Sequence, residues 1–67
     1  MARYYFHIKR GQVIVLDHEG VELVDLAEAA EEAARRGREI LARDPSTSSG
    51  SVIVADNNWQ TLFEVFF

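Results

Sequence analysis

Apolar and polar positions alternate from Arg3 to Lys9, with Tyr4, Phe6 and Ile8 on one side and Arg3, Tyr5, His7 and Lys9 on the other. That period of two predicts a strand with one buried face. Arg10-Gly11 supplies a turn and Gln12 to Leu16 is rich in β-branched residues, so the two segments read as a hairpin. Asp17-His18-Glu19-Gly20 is the next polar break, a tight turn in which Gly20 allows a positive φ. Val21-Glu22-Leu23-Val24 fits either a short extended arm or an approach to a helix.

The helix itself is announced by Asp25 followed three residues later by Glu28. At that spacing the Asp carboxylate accepts an orphan helix amide and the second acid reaches back, so the helix is predicted to start at Leu26. With successive residues 100° apart, Leu26, Ala29, Ala30, Ala33, Ala34, Gly37, Ile40 and Leu41 share one side. Glu28, Glu31, Glu32, Arg35, Arg36, Arg38, Glu39 and Arg43 share the other, with Glu31–Arg35 and Glu32–Arg36 as favourable pairs one turn apart. Asp44-Pro45 ends the run. Gly37, in mid-stripe, costs about 1 kcal/mol relative to Ala unless packing repays it. It is therefore read as a close-contact point on a small-residue helix face that sits low on a sheet bearing bulky Tyr4, Phe6 and Phe63.

Beyond a flexible Ser46–Gly50 loop, Ser51 to Ala55 is a third strand. Asp56-Asn57-Asn58 tolerates left-handed turn conformations, and Trp59 to Phe67 makes a fourth, aromatic strand. The fold class is α+β: a ββαββ chain whose four-stranded, mostly antiparallel sheet, in order 2-1-3-4, carries one helix on one face. Tyr4, Phe6, Ile8, Val13, Val15, Val52, Val54, Phe63 and Val65 are expected beneath the helix, and Tyr5, Ile14, Leu16, Ile53, Leu62 and Phe66 on the opposite face.

Length changes the picture first, because 67 residues suit a single domain, residues 1–67, with one core. The apolar runs Val13 to Leu16 and Val52 to Ala55 are far shorter than the roughly 18 residues of a membrane helix. The opening residues enter strand-like sequence without a secretory signal, and there is no cysteine, so the expected compartment is the cytoplasm. A net charge of −4 argues against broad phosphate-backbone binding.

Arg3-Tyr4-Tyr5-Phe6-His7, the turn at Gly11, then Asp17, Gly20, Glu22-Leu23, Asp25-Leu26 and Glu32-Ala33 together resemble a family of short alphaproteobacterial, rhizobial-type domains of unknown function. The likeness runs over nearly the whole chain in short pieces. It implies a compact bacterial domain and brings no activity, cofactor or substrate with it.

Candidate chemistry is sparse. His7 and His18 with Asp17 and Glu19 offer imidazoles and carboxylates to a divalent metal, but no local ligand spacing supports a site, and solvated turn residues are the simpler reading. Asp17 and Glu19 as acid and base need a pocket that shifts their pKa values, and the hydroxyls of Ser46 to Ser51 lack an activating base. No enzyme, cofactor or metal is expected. Arg3, Tyr5, His7 and Lys9 alternate bases and aromatics on one sheet face, which suits stacking of unpaired nucleotides. Single-stranded nucleic acid is the second reading. The first is a protein-interaction module with an unidentified protein partner, itself a homodimer, whose interface is the face bearing Tyr5, Ile14, Leu16, Ile53, Leu62 and Phe66 or, alternatively, the edge of the fourth strand ending in Phe66-Phe67.

Overall fold

The computed structural model describes residues 1–44 and 50–67. Pro45, the expected helix stop, and all of the expected 46–50 loop except Gly50 lie outside the described residues. The chain runs β1 (Ala2–Arg10), β2 (Val13–Val15), β3 (Val21–Leu23), α1 (Leu26–Arg43), β4 (Gly50–Ala55) and β5 (Thr61–Phe66). The sheet has the order β2-β1-β4-β5, with every pairing antiparallel. That is the predicted order with one strand added, because Val21–Leu23 is an extended arm and pairs with the first residues of β1. The nine-residue β1 is long enough to hold β3 against Ala2–Tyr4 and β2 against Ile8–Arg10 on the same edge.

Each turn follows from its residues. Gly11 has φ +61° and Gln12 does not share it, the combination of a two-residue type II′ hairpin turn. Gly20 has φ +73°, and a Cβ there would lie 2.9 Å from Arg3 Cγ and 3.0 Å from the Tyr4 carbonyl oxygen, so both backbone and space demand glycine. Asp25 caps α1 as predicted, its Oδ1 accepting the Glu28 amide at 3.0 Å. Glu28 reaches back one residue further than a standard capping box, taking the Val24 amide at 3.0 Å.

The core forms where α1 rests on β3, β4 and β5: Tyr4, Phe6, Val52 and Val54 of the sheet meet Ala29 and Ala33 of the helix. The apolar stripe of α1 is narrower than predicted. Ala29, Ala33 and Gly37 are buried, whereas Leu26, Ala30 and Leu41 are exposed. A line of residues four apart drifts about 40° per step around a helix, so a low-lying contact of small residues buries one such line and little beside it. The bulky partner of Gly37 is Phe67 and not Phe63, since a Cβ on Gly37 would lie 3.2 Å from Phe67 Cβ and Cδ2.

Val13 and Val15 are not under the helix. They point to its side of the sheet opposite Arg10 and Ile8 but remain 62% and 60% exposed. The helix starts beside β3 and has crossed to Phe67, next to β5, by Gly37, so at the level of β2 it lies over the other side of the sheet. On that flank Arg36 instead covers Phe6, its guanidinium 4.6 Å from the ring centroid. Arg10 Nη2 lies 3.5 Å from Asp44 Oδ2, an ion pair without hydrogen-bond geometry, between the first hairpin and the end of α1.

Candidate interaction surface on the open face of the sheet

Alternation along β1 turns Arg3, Tyr5, His7 and Lys9 away from the helix, and the register lines them up with residues of β2, β3, β4 and β5. Ile14, Lys9, Ser51 and Phe66 form one row, His7, Ile53 and Glu64 the next, and Arg3 pairs with Glu22. The apolar residues predicted for this face vary in exposure. Ile14, Leu16, Leu62 and Phe66 are exposed, Phe66 by 74%, while Tyr5 and Ile53 are half-buried.

The half-burial of Tyr5 has a cause the alternation could not reveal. Trp59 is not the first residue of the last strand, as predicted, but the end of a turn whose amide bonds the Asp56 carbonyl oxygen at 3.0 Å. Asp56 Oδ1 also accepts the amides of Asn58 at 2.8 Å and Gln60 at 3.0 Å. The turn sets Trp59 at φ +62°, a region a bulky residue seldom adopts. Its ring lies across β1, stacked on Tyr5 at 4.8 Å and on His7 at 5.5 Å, with His18 at 6.2 Å. The Trp59 ring is itself about half exposed.

His7 is therefore buried, although the alternation put it on an outward face. Its Nδ1 accepts the Asp17 amide at 2.9 Å, so the neutral ring carries its hydrogen on Nε2. Asp17 returns the contact: Oδ2 accepts the Phe6 amide at 3.0 Å, and Oδ1 accepts those of Glu19 at 3.0 Å and Gly20 at 3.1 Å. The loop thus fastens the edge of β1 between β2 and β3, the other edge of that stretch being paired by β4. Burial pushes the Asp17 carboxyl up, but the amides of Gly20, Phe6 and Glu19, with help from Arg36, outweigh it and hold it below the usual carboxylate range. An Asp three residues before a turn glycine was the sequence signal for this peg; its bond to β1 was not visible there.

The predicted basic and aromatic stripe is largely committed internally. Arg3 pairs with Glu22 at 3.1 Å and donates to the Glu19 carbonyl oxygen, and His7 lies beneath Trp59. The Ser51 hydroxyl is buried and bonds Glu64. His7 and Asp17 do come together, but through the Asp17 amide, while the Asp17 carboxylate is filled by other amides. Among the described residues no group of three or more His, Cys, Asp or Glu side chains could hold a metal ion, and no helix is long and apolar enough to cross a membrane.

On the outer side of α1 the ion pairs differ from those predicted. Arg35 joins Glu32 and Glu39 instead of Glu31, while Arg36 joins Glu32 at 2.7 Å as expected. The hydrogen bond from Arg35, with Arg36 behind it, holds the Glu32 carboxyl below its ordinary range against the effect of burial.

Fold and surface define a small α+β domain with one covered and one open sheet face. Residues 3–67 match the family described as domain of unknown function (DUF6894), and the chain belongs to it. No curated protein and no solved structure matches the chain.

Proposed function

We propose that this is a non-catalytic protein-interaction module that associates with its own copy through the sheet and presents the sheet to a further protein partner. The observation that carries this reading is the exposure of Ile14, Leu16, Leu62 and Phe66 on the open face. Ile14 and Leu16 lie at the β2 margin and Leu62 and Phe66 at the β5 margin, with Lys9 and Ser51 between them, and large apolar side chains left open in this way mark contact sites in soluble proteins. The outer side of the helix, by contrast, is laced with internal ion pairs. A 67-residue chain without cysteine also gains the core it lacks by pairing with a copy. On the resemblance to rhizobial-type domains and the absence of cysteine, the setting of this role is the cytoplasm of an alphaproteobacterium.

Light scattering at tens of micromolar tests the reading. The wild-type chain is expected to exceed the monomer mass, and a stable monomer overturns it. The Arg38→Glu variant, changed on the outer helix, should associate as the wild type does. Single-stranded nucleic acid ranks second, favoured by the half-exposed Trp59 ring and opposed by the commitment of Arg3 and His7. An oligonucleotide bound with steep salt dependence would reverse the order.

A further inference from the structure

We infer that the copy-to-copy contact is the free edge of β2, paired antiparallel with β2 of a second copy so that two sheets become one. This rests on the self-association proposed above and names where it occurs. Val13, Ile14, Val15 and Leu16 are all more than half exposed, and they point alternately to both faces of the sheet. A strand that is apolar on both faces has the composition of an interior strand, yet β2 stands at the margin. Its backbone is also available. Arg10 and Val13 close a two-residue hairpin and exchange both of their hydrogen bonds, which turns the amide and carbonyl of Ile14 outward.

The other free edges carry charges or irregularities that discourage pairing, whereas β2, though only three residues long, has no charged residue, proline or bulge. β5 has Glu64 in its middle and a register irregularity opposite Val54 and Ala55, and β3 has Glu22 at its centre. A two-fold axis through Ile14 sets Ile14 opposite its copy, Val13 opposite Val15 and Gln12 opposite Leu16, so no like charges face each other. The same joint buries Val13 and Val15 on the side where the helix fails to reach them. On that side a cleft of about 260 Å³ lined by Ile8, Arg35, Arg36, Glu39, Ile40 and Arg43 reaches the sheet at Ile8, the partner of Val15. Leu62 and Phe66, at the opposite margin, remain free for a different protein.

The absence of cysteine makes the test direct. Directly opposed, hydrogen-bonded residues of antiparallel strands have Cα atoms about 5.5 Å apart, within disulfide range. Ile14→Cys is expected to cross-link to its copy on mild oxidation several-fold faster than Phe66→Cys, although Phe66 is the more exposed. Ile14→Pro removes the outward amide and should give a folded monomer, whereas Ile14→Ala keeps the amide and should stay dimeric. A wild-type dimer in which Phe66→Cys cross-links faster, or in which Ile14→Pro still dimerises, overturns the edge contact and leaves self-association standing. A wild-type monomer overturns both.

Discussion

Trp59 holds a left-handed backbone conformation that costs a non-glycine residue roughly 1–2 kcal/mol. Its stacks on Tyr5 and His7 offset that cost at about 0.5–1.5 kcal/mol for an aromatic pair. The two terms separate by mutation. Trp59→Ala loses the rings and keeps the strain, while Trp59→Gly loses the rings and releases it. The glycine variant should therefore melt higher than the alanine variant, the reverse of the order expected at a helical or extended site, and the opposite ranking by calorimetry would refute the offset. Asp17 is the second residue on which the open face depends. Its folded-state pKa lies below the ordinary value of 3.8, so the fold favours the carboxylate. The resulting stabilisation is complete above the ordinary value and is lost as pH falls through the depressed one. Asp17→Ala, which leaves the amides of Phe6, Glu19 and Gly20 without their acceptor, should cost roughly 2–3 kcal/mol at neutral pH. It should also flatten the decline of stability in acid. A variant whose stability falls with acid as steeply as the wild type's would show that Asp17 is not the titrating peg.

Among the elements, α1 was the most legible in the chain, because capping, periodicity and small-residue spacing all point to the same segment. Asp25→Ala should lose on the order of 1 kcal/mol. Gly37→Leu should do more damage than that, since even a Cβ there meets Phe67 at 3.2 Å, and overpacking typically costs about 1–3 kcal/mol. Glu31→Leu, at an exposed position on the same helix, is the control, and equal melting of the two leucine variants would remove the close contact from the account. The strands were legible in kind and in order, and the partner that was missed is that of Val21–Leu23. Val21-Glu22-Leu23 carries no turn or periodicity that distinguishes an arm from a paired strand; its pairing depends on a β1 long enough to extend past β2. Trp59 looked like strand because aromatic residues favour strands. The bonds of Asp56 to Asn58 and Gln60 override that preference and end the turn on the tryptophan.

At the scale of the whole molecule, the period of a strand says which way each side chain points and not whether anything covers it. Val13 and Val15 point inward by period and stay exposed, and His7 points outward and is buried. Both outcomes depend on the reach of one helix and one turn, which no local pattern encodes. The uncovered β2 then bears on stability as well as on partners. If two copies share a sheet, folding and association are linked, and the melting temperature must rise with concentration. A roughly hundredfold rise adds about 2.7 kcal/mol to the folded dimer, which for a chain of this size is a shift of several degrees. Val15→Lys places a charge in the joint opposite Val13 of the copy, on a strand already exposed in the single chain. That variant should melt lower than the wild type at high protein concentration and at one temperature across the whole range, while the wild-type melting temperature climbs. A wild-type melting temperature that stays constant over the same range would mean that the exposed β2 edge contributes nothing to the folded state.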